Sequence, residues 1–411
     1  MKVLVVNAGS SSLKYQLFDT TKKEVLAKGI CERIGIDGNI EHRKGEKGEK
    51  ITKEIHMPDH AVATRIVVEY LTDKESGVIE TMEEIEAVGH RIVSGGPYFF
   101  ESTLINDEVL EKLEKCVPFA PLHTPPHLMG IRGCLEVMPN VPQVLVFDTA
   151  FHTTLPKKAS TFPISKELRE KYSIRRYGAH GTSHRFVANE MIKILQKTRG
   201  MKREDTKIVT CHIGNGASIS AVKGGVCVDT SMGFTPLDGI MMGTRCGAID
   251  PAIVTFIMKN EGYDPDRMDK YMNNECGFLG VTGGFSSDSR DLEKAIATND
   301  PEHKEDAVLA TSIMAYQVQK YIGAYSAAMN GLDAVVFTAG MGEHNPELRD
   351  RACTNMQYFG IEIDRELNAV THHQPNMVRL STDNSHVEVY VIPTDEEYMI
   401  ATDTEEIVNK L

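Results

Sequence analysis

The stretch VVNAGSSSLKYQLFD, residues 5–19, reads as a strand, a tight turn and a second strand. An apolar run leads into the turn, and the residues from Leu13 onward alternate apolar and polar at the period of a strand. Gly9 tolerates backbone conformations that other residues avoid, and the serine hydroxyls after it, with exposed amide groups, suit a phosphate. Lys14 adds positive charge. An ordinary polar hairpin tip remains the alternative.

The whole chain has the composition of a globular protein and is long enough for two domains, at 411 residues. Its net charge of −13 contains no long acidic or basic block, which argues against a nucleic-acid surface. The eight cysteines show no close pairs, so we expect neither a disulfide framework nor a cysteine-rich zinc site, and a reducing cytoplasm fits. We find no export signal and no apolar run near the ~20 residues that span a bilayer.

The opening pattern returns near the middle of the chain. KIVTCHIGNGASISAVKGG, residues 207–225, is again an apolar strand, a glycine-containing polar turn and an alternating strand. Gly214 lies half a chain length after Gly9, which suggests two homologous halves that each begin with a phosphate-type hairpin. Two unrelated hairpins are the alternative interpretation.

Strands and helices alternate through the rest of the chain. We predict a charged hairpin over residues 41–53, helices over residues 61–71 and 306–330, and a terminal strand followed by a helix. In FTAGMGEHNPELRDRA a strand leads to a glycine turn and then to a helix capped by Asn345, with Pro346 at its first position. These elements predict an α/β protein with mixed sheets.

Polar or glycine residues follow five separate predicted strands. In α/β sheets ligands bind at the strand ends, so we expect these positions to form a shared cleft. They are Asn7, Asp148, Asn215, Gly340 and Glu396.

Two arginines lie in glycine-flanked loops, Arg91 in GHRIVSGG and Arg245 in DGIMMGTRCGAIDP, where they suit a phosphate or carboxylate better than a surface ion pair.

In RRYGAHGTSHRFV, His180 and His184 have the spacing of a zinc helix, but the glutamate of that motif is missing. We predict that His180 faces the ligand from a loop, that Thr182 and Ser183 cap the helix, and that His184 is structural. PLHTPPHL is either a packed loop or one wall of a small pocket.

Taken together, these motifs resemble the acetokinase family over nearly the whole chain. Nine segments occur in the family's order: NAGSSSLKYQLF, GHRIVSGG, PLHTPPH, VFDTAFH, YGAHGTSH, CHIGNGAS, DTSMGFTPLDGIMMGTRCGAIDP, FTAGMGEHNP and VIPTDEE. Each is weak alone, but nine in order are very specific.

The resemblance implies the fold shared with actin, hexokinase and the heat-shock chaperone ATPases, two ribonuclease-H-like domains with mixed sheets flanking a central cleft. The first domain would contain residues 1–150 and 384–411 and bind the acyl substrate, and residues 151–383 would bind the nucleotide. The implied reaction is reversible transfer of the γ-phosphoryl group of ATP to acetate, with Mg²⁺ (or Mn²⁺), in a cytoplasmic homodimer that binds neither nucleic acid nor membrane. A carboxylate is already ionised at neutral pH and needs no general base, so managing charge is the chemical problem.

The resemblance also carries over site residues. The catalytic set would be Arg91, Asp148, His180 and Arg245. Arg91 would also bind the acyl substrate, in a pocket with Val93, Leu122, Ala179 and Pro236. Asn7 and Glu396 would hold the metal. ATP would contact Ser10, Ser12, Lys14, His212, Gly214, Asn215, Gly216, Asp288, Ser289, Arg290, Gly340, Met341, Gly342, Glu343 and Asn345.

Three positions depart from the family pattern. Ala179 stands where phenylalanine is usual in the acyl pocket, Asp395 where asparagine precedes the metal-site glutamate, and Ser289 where a bulkier residue lies beside the nucleoside. The alanine predicts a larger pocket and relaxed acyl selectivity, so a propionate or butyrate kinase is the alternative. A sugar kinase using Asp148 as base, or an ATPase like actin or the heat-shock chaperones, are more distant alternatives.

Overall fold

The computed structural model describes all 411 residues, and they form two compact units. Unit 1 contains Met1–Thr153 and Asp395–Leu411, and unit 2 contains Thr154–Thr394. The first boundary lies within a few residues of the expected position. The second lies at residue 395 rather than 384, because the strand Glu388–Val391 pairs with the sheet of unit 2. No helix is both long and apolar enough to cross a membrane.

Unit 1 begins with five strands. They are β1 (Lys2–Ala8), β2 (Ser12–Asp19), β3 (Glu24–Glu32), β4 (Asn39–Lys44) and β5 (Lys50–Glu54). The following elements are α1 (His60–Thr72), β6 (Ala87–Ile92), β7 (Thr103–Leu104), α2 (Asp107–Glu114), α3 (Thr124–Val137) and β8 (Gln143–Phe147). The predicted charged hairpin and first helix are therefore present.

The eight strands of unit 1 form one mixed sheet in the order β5-β4-β3-β2-β1-β6-β8-β7. Strands β1 to β5 are antiparallel neighbours, whereas β1, β6 and β8 run parallel. Alternate residues of β1 face opposite ways: Leu4 and Val6 pack in one apolar core, and Val3 and Val5 pack in another. Because both faces are covered, β1 reads as a continuous apolar run.

Unit 2 contains most of the helices. Its elements are α4 (Lys157–Ser160), α5 (Lys166–Tyr172), α6 (Gly181–Arg199), β9 (Lys207–Ile213), β10 (Ala217–Lys223), β11 (Val226–Thr230), α7 (Pro251–Glu261), α8 (Pro265–Asn274), α9 (Gly277–Val281), α10 (Ser289–Ala297), α11 (Lys304–Met329), β12 (Ala334–Thr338), α12 (Ala339–His344), α13 (Pro346–Cys353), α14 (Arg365–Val370), β13 (Val378–Arg379) and β14 (Glu388–Val391). The last helix, α15 (Glu396–Val408), returns to unit 1 and packs on β1, β6 and β8.

The sheet of unit 2 has the order β11-β10-β9-β12-β14-β13. Strands β9, β12 and β14 are parallel, and β10 lies antiparallel between β9 and β11. The central order β11-β10-β9-β12-β14 repeats the order β3-β2-β1-β6-β8 of unit 1, and each begins with a hairpin around a glycine turn. This repetition agrees with the two homologous halves suggested by the sequence.

Three local predictions need correction. Helix α6 begins at Gly181 with His180 as its cap, so Thr182 and Ser183 lie inside the helix rather than capping it. Part of PLHTPPHL is helical, because prolines fit the first turn of α3 without losing a backbone hydrogen bond. The glycine turn after β12 is the short helix α12, whereas Asn345 caps α13 as expected by accepting from the Leu348 N–H at 2.9 Å.

Candidate active site

The carboxyl ends of β6 and β8 bring Arg91 and Asp148 together in unit 1. The strands are parallel neighbours, and the Asp148 N–H donates to the Ile92 carbonyl oxygen at 2.8 Å. Arg91 Nη2 donates to Asp148 Oδ2 at 2.8 Å, and Arg91 Nε lies 3.4 Å from Oδ1. The Asp148 side chain is only 1% exposed. A nearly buried carboxylate therefore fixes the guanidinium of Arg91.

Glu396, the first residue of α15, joins this pair. Its Oε2 lies 3.7 Å from Arg91 Nε. Burial, together with repulsion from Asp148 and Glu397, raises the pKa of Glu396 to about 7, although Arg91 opposes the shift. The pKa of Arg91 is raised, chiefly by the charge of Asp148. Arg91 therefore pairs with two carboxylates, and the longer ion pair neutralises the charge of Glu396 only in part.

This set of groups fits a divalent cation held partly by substrate. No group of three His, Cys, Asp or Glu side chains in the protein forms a self-contained metal site. Mg²⁺ is usually held by one or two carboxylates together with substrate phosphates and water. Glu396, with a raised pKa and only a 3.7 Å ion pair, is a carboxylate that a further cation would stabilise in its ionised form.

The Gly9 turn is held by two histidines that the sequence did not single out for this role. The Gly9 N–H donates to the Ser12 carbonyl oxygen at 2.7 Å, and a Cβ on Gly9 would lie 2.7 Å from Ser12 Oγ. His127 Nδ1 bonds the Ala8 carbonyl oxygen at 3.0 Å, and His60 Nε2 bonds that of Gly9 at 2.8 Å. Two histidine side chains therefore hold the turn, and a Cβ at residue 9 would require the Ser12 hydroxyl to move.

His127 belongs to the interior rather than to a substrate pocket. Its Nε2 accepts the Val93 N–H at 3.3 Å while its Nδ1 donates to Ala8, which identifies the neutral ring. Burial, with the charge of Arg91 as the next cause, lowers the pKa of His127 to about 3. Of the two interpretations of PLHTPPHL, a packed segment or one wall of a pocket, His127 therefore favours the packed segment.

The other site residues predicted in unit 1 are more dispersed. Val93 is buried, whereas Leu122 is 73% exposed. Asn7 lies opposite Lys14 in the β1–β2 ladder, and both side chains line a separate cavity on the sheet. Ser10 is exposed at the turn. Only the trio Arg91, Asp148 and Glu396 is linked by direct ion pairs.

In unit 2, His180 precedes α6 in the left-handed conformation, with φ of 55°. Its Nδ1 lies 2.9 Å from Ser218 Oγ, and its ring stacks on that of His212 with centroids 4.1 Å apart. His184 is fully buried, and its Nε2 lies 2.7 Å from the same Ser218 hydroxyl. His184 is therefore structural, as predicted, and helps to orient the serine that contacts His180.

Arg245 lies beside His180 across Gly216. A Cβ on Gly216 would approach His180 Nε2 to 3.4 Å and Arg245 Nη1 to 3.6 Å, so the glycine keeps the space between them open. Arg245 Nη1 donates to the Pro236 carbonyl oxygen at 3.2 Å and to Met242 Sδ at 3.7 Å, and it has no carboxylate partner. Burial lowers the pKa of Arg245. A half-buried guanidinium without a counter-charge suits an anionic ligand.

A cavity of about 540 Å³ adjoins the second glycine turn. It contains eight of the predicted ATP residues: Gly214, Asn215, Asp288, Ser289, Arg290, Gly340, Met341 and Asn345. Four others, His212, Gly216, Gly342 and Glu343, do not line it. The volume is within the range of small-ligand sites.

Glu343 has a structural role in the loop that borders this cavity. Its Oε1 accepts the Ala339 N–H at 2.8 Å and the Thr394 N–H at 3.2 Å. Arg349, which is fully buried, donates to the Gly342 and Glu343 carbonyl oxygens at 2.9 and 3.0 Å. No sequence signal distinguished Arg349 from Arg351, the other arginine of its helix, because the role of Arg349 depends on burial.

Several cavity residues were missed. His344 and His373 stack with ring centroids 4.4 Å apart, and both line the cavity together with Glu293. A second cavity of about 410 Å³ shares Ser289, Glu293, Met341 and Asn345 with the first. Its apolar walls are Phe278, Ile296, Ala297, Met314 and Leu348. A polar compartment beside an apolar one suits a nucleotide better than a small ion.

The three departures from the family pattern have distinct environments. Ala179 is 3% exposed and belongs to the apolar core of unit 2. Asp395 caps α15 by accepting the Tyr398 N–H at 2.9 Å, and burial raises its pKa. Ser289 lines both cavities in unit 2.

Comparison with known proteins extends over the full chain. The model of the acetokinase family matches residues 2–402. Acetate kinase from Thermotoga maritima is 51% identical over 412 residues, covering 100% of both chains. The crystal structure of Porphyromonas gingivalis acetate kinase superposes with a TM-score of 0.92, 43% identity and 99% coverage of both chains. A propionate kinase from Francisella tularensis gives a TM-score of 0.88 at 37% identity, covering 98% of this chain and 99% of its own.

Proposed function

Because the chain belongs to the acetokinase family, we propose that it is an ATP-dependent kinase that transfers the γ-phosphoryl group reversibly from ATP to acetate. One acetate oxygen forms a bond to the γ-phosphorus while the bond from that phosphorus to the bridging oxygen of ADP breaks. The products are acetyl phosphate and ADP. No proton has to be removed from the carboxylate at neutral pH, so the enzyme mainly positions two anions and neutralises their repulsion.

In unit 1, we assign Arg91 to the carboxylate and the transferring group, with Asp148 holding its guanidinium in place. Glu396, supported by Asp148 and Asn7, would hold Mg²⁺, and Mn²⁺ would suit the same oxygen ligands. When bound, the metal would neutralise phosphate charge. The raised pKa of Glu396 supports this assignment, because a cation nearby would favour the ionised form.

In unit 2, we assign His180 and Arg245 to the equatorial oxygens of the transferring phosphoryl group. The open space between them at Gly216 supports the pairing. The 540 Å³ cavity and its apolar neighbour would hold the nucleotide, with the Gly214 turn towards the phosphates. Arg290, whose guanidinium pairs with Asp288, would lie at the nucleoside.

The main support for this proposal is that Arg245 has no carboxylate partner to neutralise its charge. A half-buried arginine normally has an acidic partner, and this one has only a carbonyl oxygen and a thioether. A phosphoryl group would supply the missing negative charge, and removing one such donor typically lowers the rate by ~10²- to 10³-fold.

Trapping of the acyl phosphate with hydroxylamine tests the function. With ATP, Mg²⁺ and acetate, the protein should form acetyl hydroxamate, and Arg91→Gln and Arg245→Gln should each lower kcat by ~10²-fold or more. Arg65→Gln and Arg267→Gln are matched controls, because these arginines form exposed ion pairs. ATP hydrolysis without hydroxamate would instead favour an ATPase related to actin or the chaperones.

We also propose a homodimer located in the cytoplasm. Helix α7 has no buried residue although its sequence is PAIVTFIMKNE, and Ile253 and Phe256 are 43% and 65% exposed. Exposed apolar helix faces are typical of association surfaces, and a second copy is the partner that the family suggests. Eight free cysteines are compatible with a reducing compartment.

A further inference from the structure

The sheet of unit 1 carries a cavity whose cationic side chains, apart from Lys14, have no role in the proposed phosphoryl transfer. Its volume is about 340 Å³, and we call it the basic cavity. Four cations line it: Lys14, Lys28, Arg43 and Lys50. Two acids, Glu41 and Glu397, also line it, so positive charge is in excess. None of Arg91, Asp148 and Glu396 belongs to it.

The strand register places like charges directly opposite one another in this cavity. Lys28 of β3 lies opposite Arg43 of β4, and Arg43 lies opposite Lys50 of β5. Like charges at directly opposed positions destabilise a sheet, because their Cβ atoms are only ~4.5–5.5 Å apart. A chain with a net charge of −13 nevertheless concentrates three cations in one row.

These cations are only partly neutralised within the protein. Lys14 and Lys28 form neither a hydrogen bond nor an ion pair, and Arg43 makes one 3.4 Å hydrogen bond to the Glu46 carbonyl oxygen. Lys50 pairs with Glu41 at 2.5 Å. Lysines often protect edge strands from pairing with other chains, and this would explain Lys50 on β5. It does not explain Lys14 and Lys28, because β2 and β3 are interior strands.

We propose that the basic cavity is a second ligand site, specific for a small anion that carries two phosphate groups. Adjacent strands are ~4.8 Å apart, so the row from β3 to β5 spans ~10 Å, more than one phosphate can reach. Two linked or nearby phosphates would contact the row and relieve its internal repulsion. Asn7 and Lys14, which the family resemblance assigns to the metal and to ATP, line one side of the basic cavity, whereas Lys28, Arg43 and Lys50 have no role in the proposed kinase activity.

Calorimetric titration of the full chain with inorganic pyrophosphate, a hexose 1,6-bisphosphate and inorganic phosphate tests this inference. The two diphosphorylated probes should bind, and their relative affinities distinguish an inorganic from a metabolite ligand. Inorganic phosphate should bind at least tenfold more weakly. The double variant Lys28→Gln/Arg43→Gln should bind one equivalent of pyrophosphate less than the wild type, or bind that equivalent roughly tenfold or more weakly. Each substitution removes a charge-assisted hydrogen bond to the ligand. Any phosphate-binding site elsewhere in the chain should take up the probes equally in the wild type and the variant, so the difference between the two titrations reports the basic cavity.

Lys53→Gln is the matched control, since this exposed lysine of β5 does not line the cavity. Its titration should equal that of the wild type. Unchanged pyrophosphate binding in the double variant, or equal weakening in Lys53→Gln, overturns the proposal. A measurement on the unmodified chain provides a second test: pyrophosphate should slow acetylation of Lys28 more than that of Lys53. Equal acetylation rates with and without pyrophosphate would also overturn it.

Discussion

Arg91 Nη2 donates to Asp148 Oδ2 at 2.8 Å, which joins the ends of the parallel strands β6 and β8. The acid is nearly buried, whereas the arginine retains 23% exposure. Asp148 thus fixes the guanidinium without enclosing it, and one part of Arg91 stays available to a ligand.

Asp148→Asn should lower kcat by ~10²- to 10³-fold, because Arg91 loses the charge that orients it. The free energy of unfolding should fall by about 3 kcal/mol, the lower end for buried pairs because Arg91 is partly exposed. Steady-state kinetics and denaturant titration measure the two effects. Asp37→Asn, in the exposed pair with Arg33, should leave the denaturation midpoint nearly unchanged, because solvent screens this pair. Wild-type kcat in Asp148→Asn would contradict the assigned role.

Ionisation of Glu396 should control the pH dependence of activity. Its pKa is raised to about 7, so the ionised form, to which we assign metal binding, increases as pH rises through that value, and kcat/KM should rise with it. Mg²⁺ should move this transition to lower pH, because a cation favours the carboxylate. The transition should be absent in Glu396→Gln.

Ionisation of Glu396 should also change the stability of the protein with pH, in a direction that its raised pKa determines. A carboxyl with a folded-state pKa above its ordinary value of 4.5 binds more protons folded than unfolded, so its contribution to stability falls as pH rises from about 4.5 to about 7. Tm should therefore decrease less over this interval in Glu396→Gln than in the wild type. An identical pH dependence of Tm in both proteins would exclude the raised pKa.

His180→Asn should fold normally and lose activity. Asparagine tolerates the left-handed conformation that His180 adopts, so Tm should stay near that of the wild type. The amide does not reproduce the imidazole donor, so kcat should fall by ~10²-fold with a small change in KM for ATP. His184→Asn is the comparison: it should lower stability by ~1–3 kcal/mol, because it breaks buried hydrogen bonds to Thr210 and Ser218. Full activity of His180→Asn would refute the assignment.

Ala179→Phe tests the acyl selectivity. If Ala179 enlarges the pocket, the ratio of kcat/KM for acetate over propionate should be low in the wild type and rise about tenfold with phenylalanine. The substitution should also cost ~1–3 kcal/mol, because Ala179 is 3% exposed. Ala188→Phe, at another buried alanine, should cost similar stability without changing the ratio. A strict acetate preference that Ala179→Phe leaves unchanged would eliminate this explanation.

Phe256→Glu should weaken self-association, because it adds charge to the exposed apolar face of α7. Sedimentation velocity should show a dimer for the wild type and a concentration-dependent shift to monomer for the variant. Leu168→Glu, on the exposed face of α5, should leave the dimer intact. A monomeric wild type, or an unaffected variant, would contradict the assignment of α7.

Local chemistry made much of the architecture predictable. The two glycine turns, the alternation of strands and helices and the cap at Asn345 depend on neighbouring residues, and all of these are present. The prediction was wrong at two local positions: Thr182 and Ser183 lie inside α6 rather than capping it, and the glycine turn after β12 is the short helix α12. The contacts of Glu343 with the Ala339 and Thr394 N–H groups depend on tertiary packing and had no signal in the sequence.

The sequence by itself determined the family, the repeated strand–turn–strand units and eight residues that line the 540 Å³ cavity of unit 2, because each depends on contiguous segments. Only the tertiary structure decided that Arg91 forms ion pairs with both Asp148 and Glu396. The order of strands in the sheet and the return of α15 to unit 1 bring together these residues, which are distant in the chain. It also decided the raised pKa of Glu396 and the row of opposed cations on β3, β4 and β5. Burial and strand register set these properties, and neither is encoded in a short stretch of sequence.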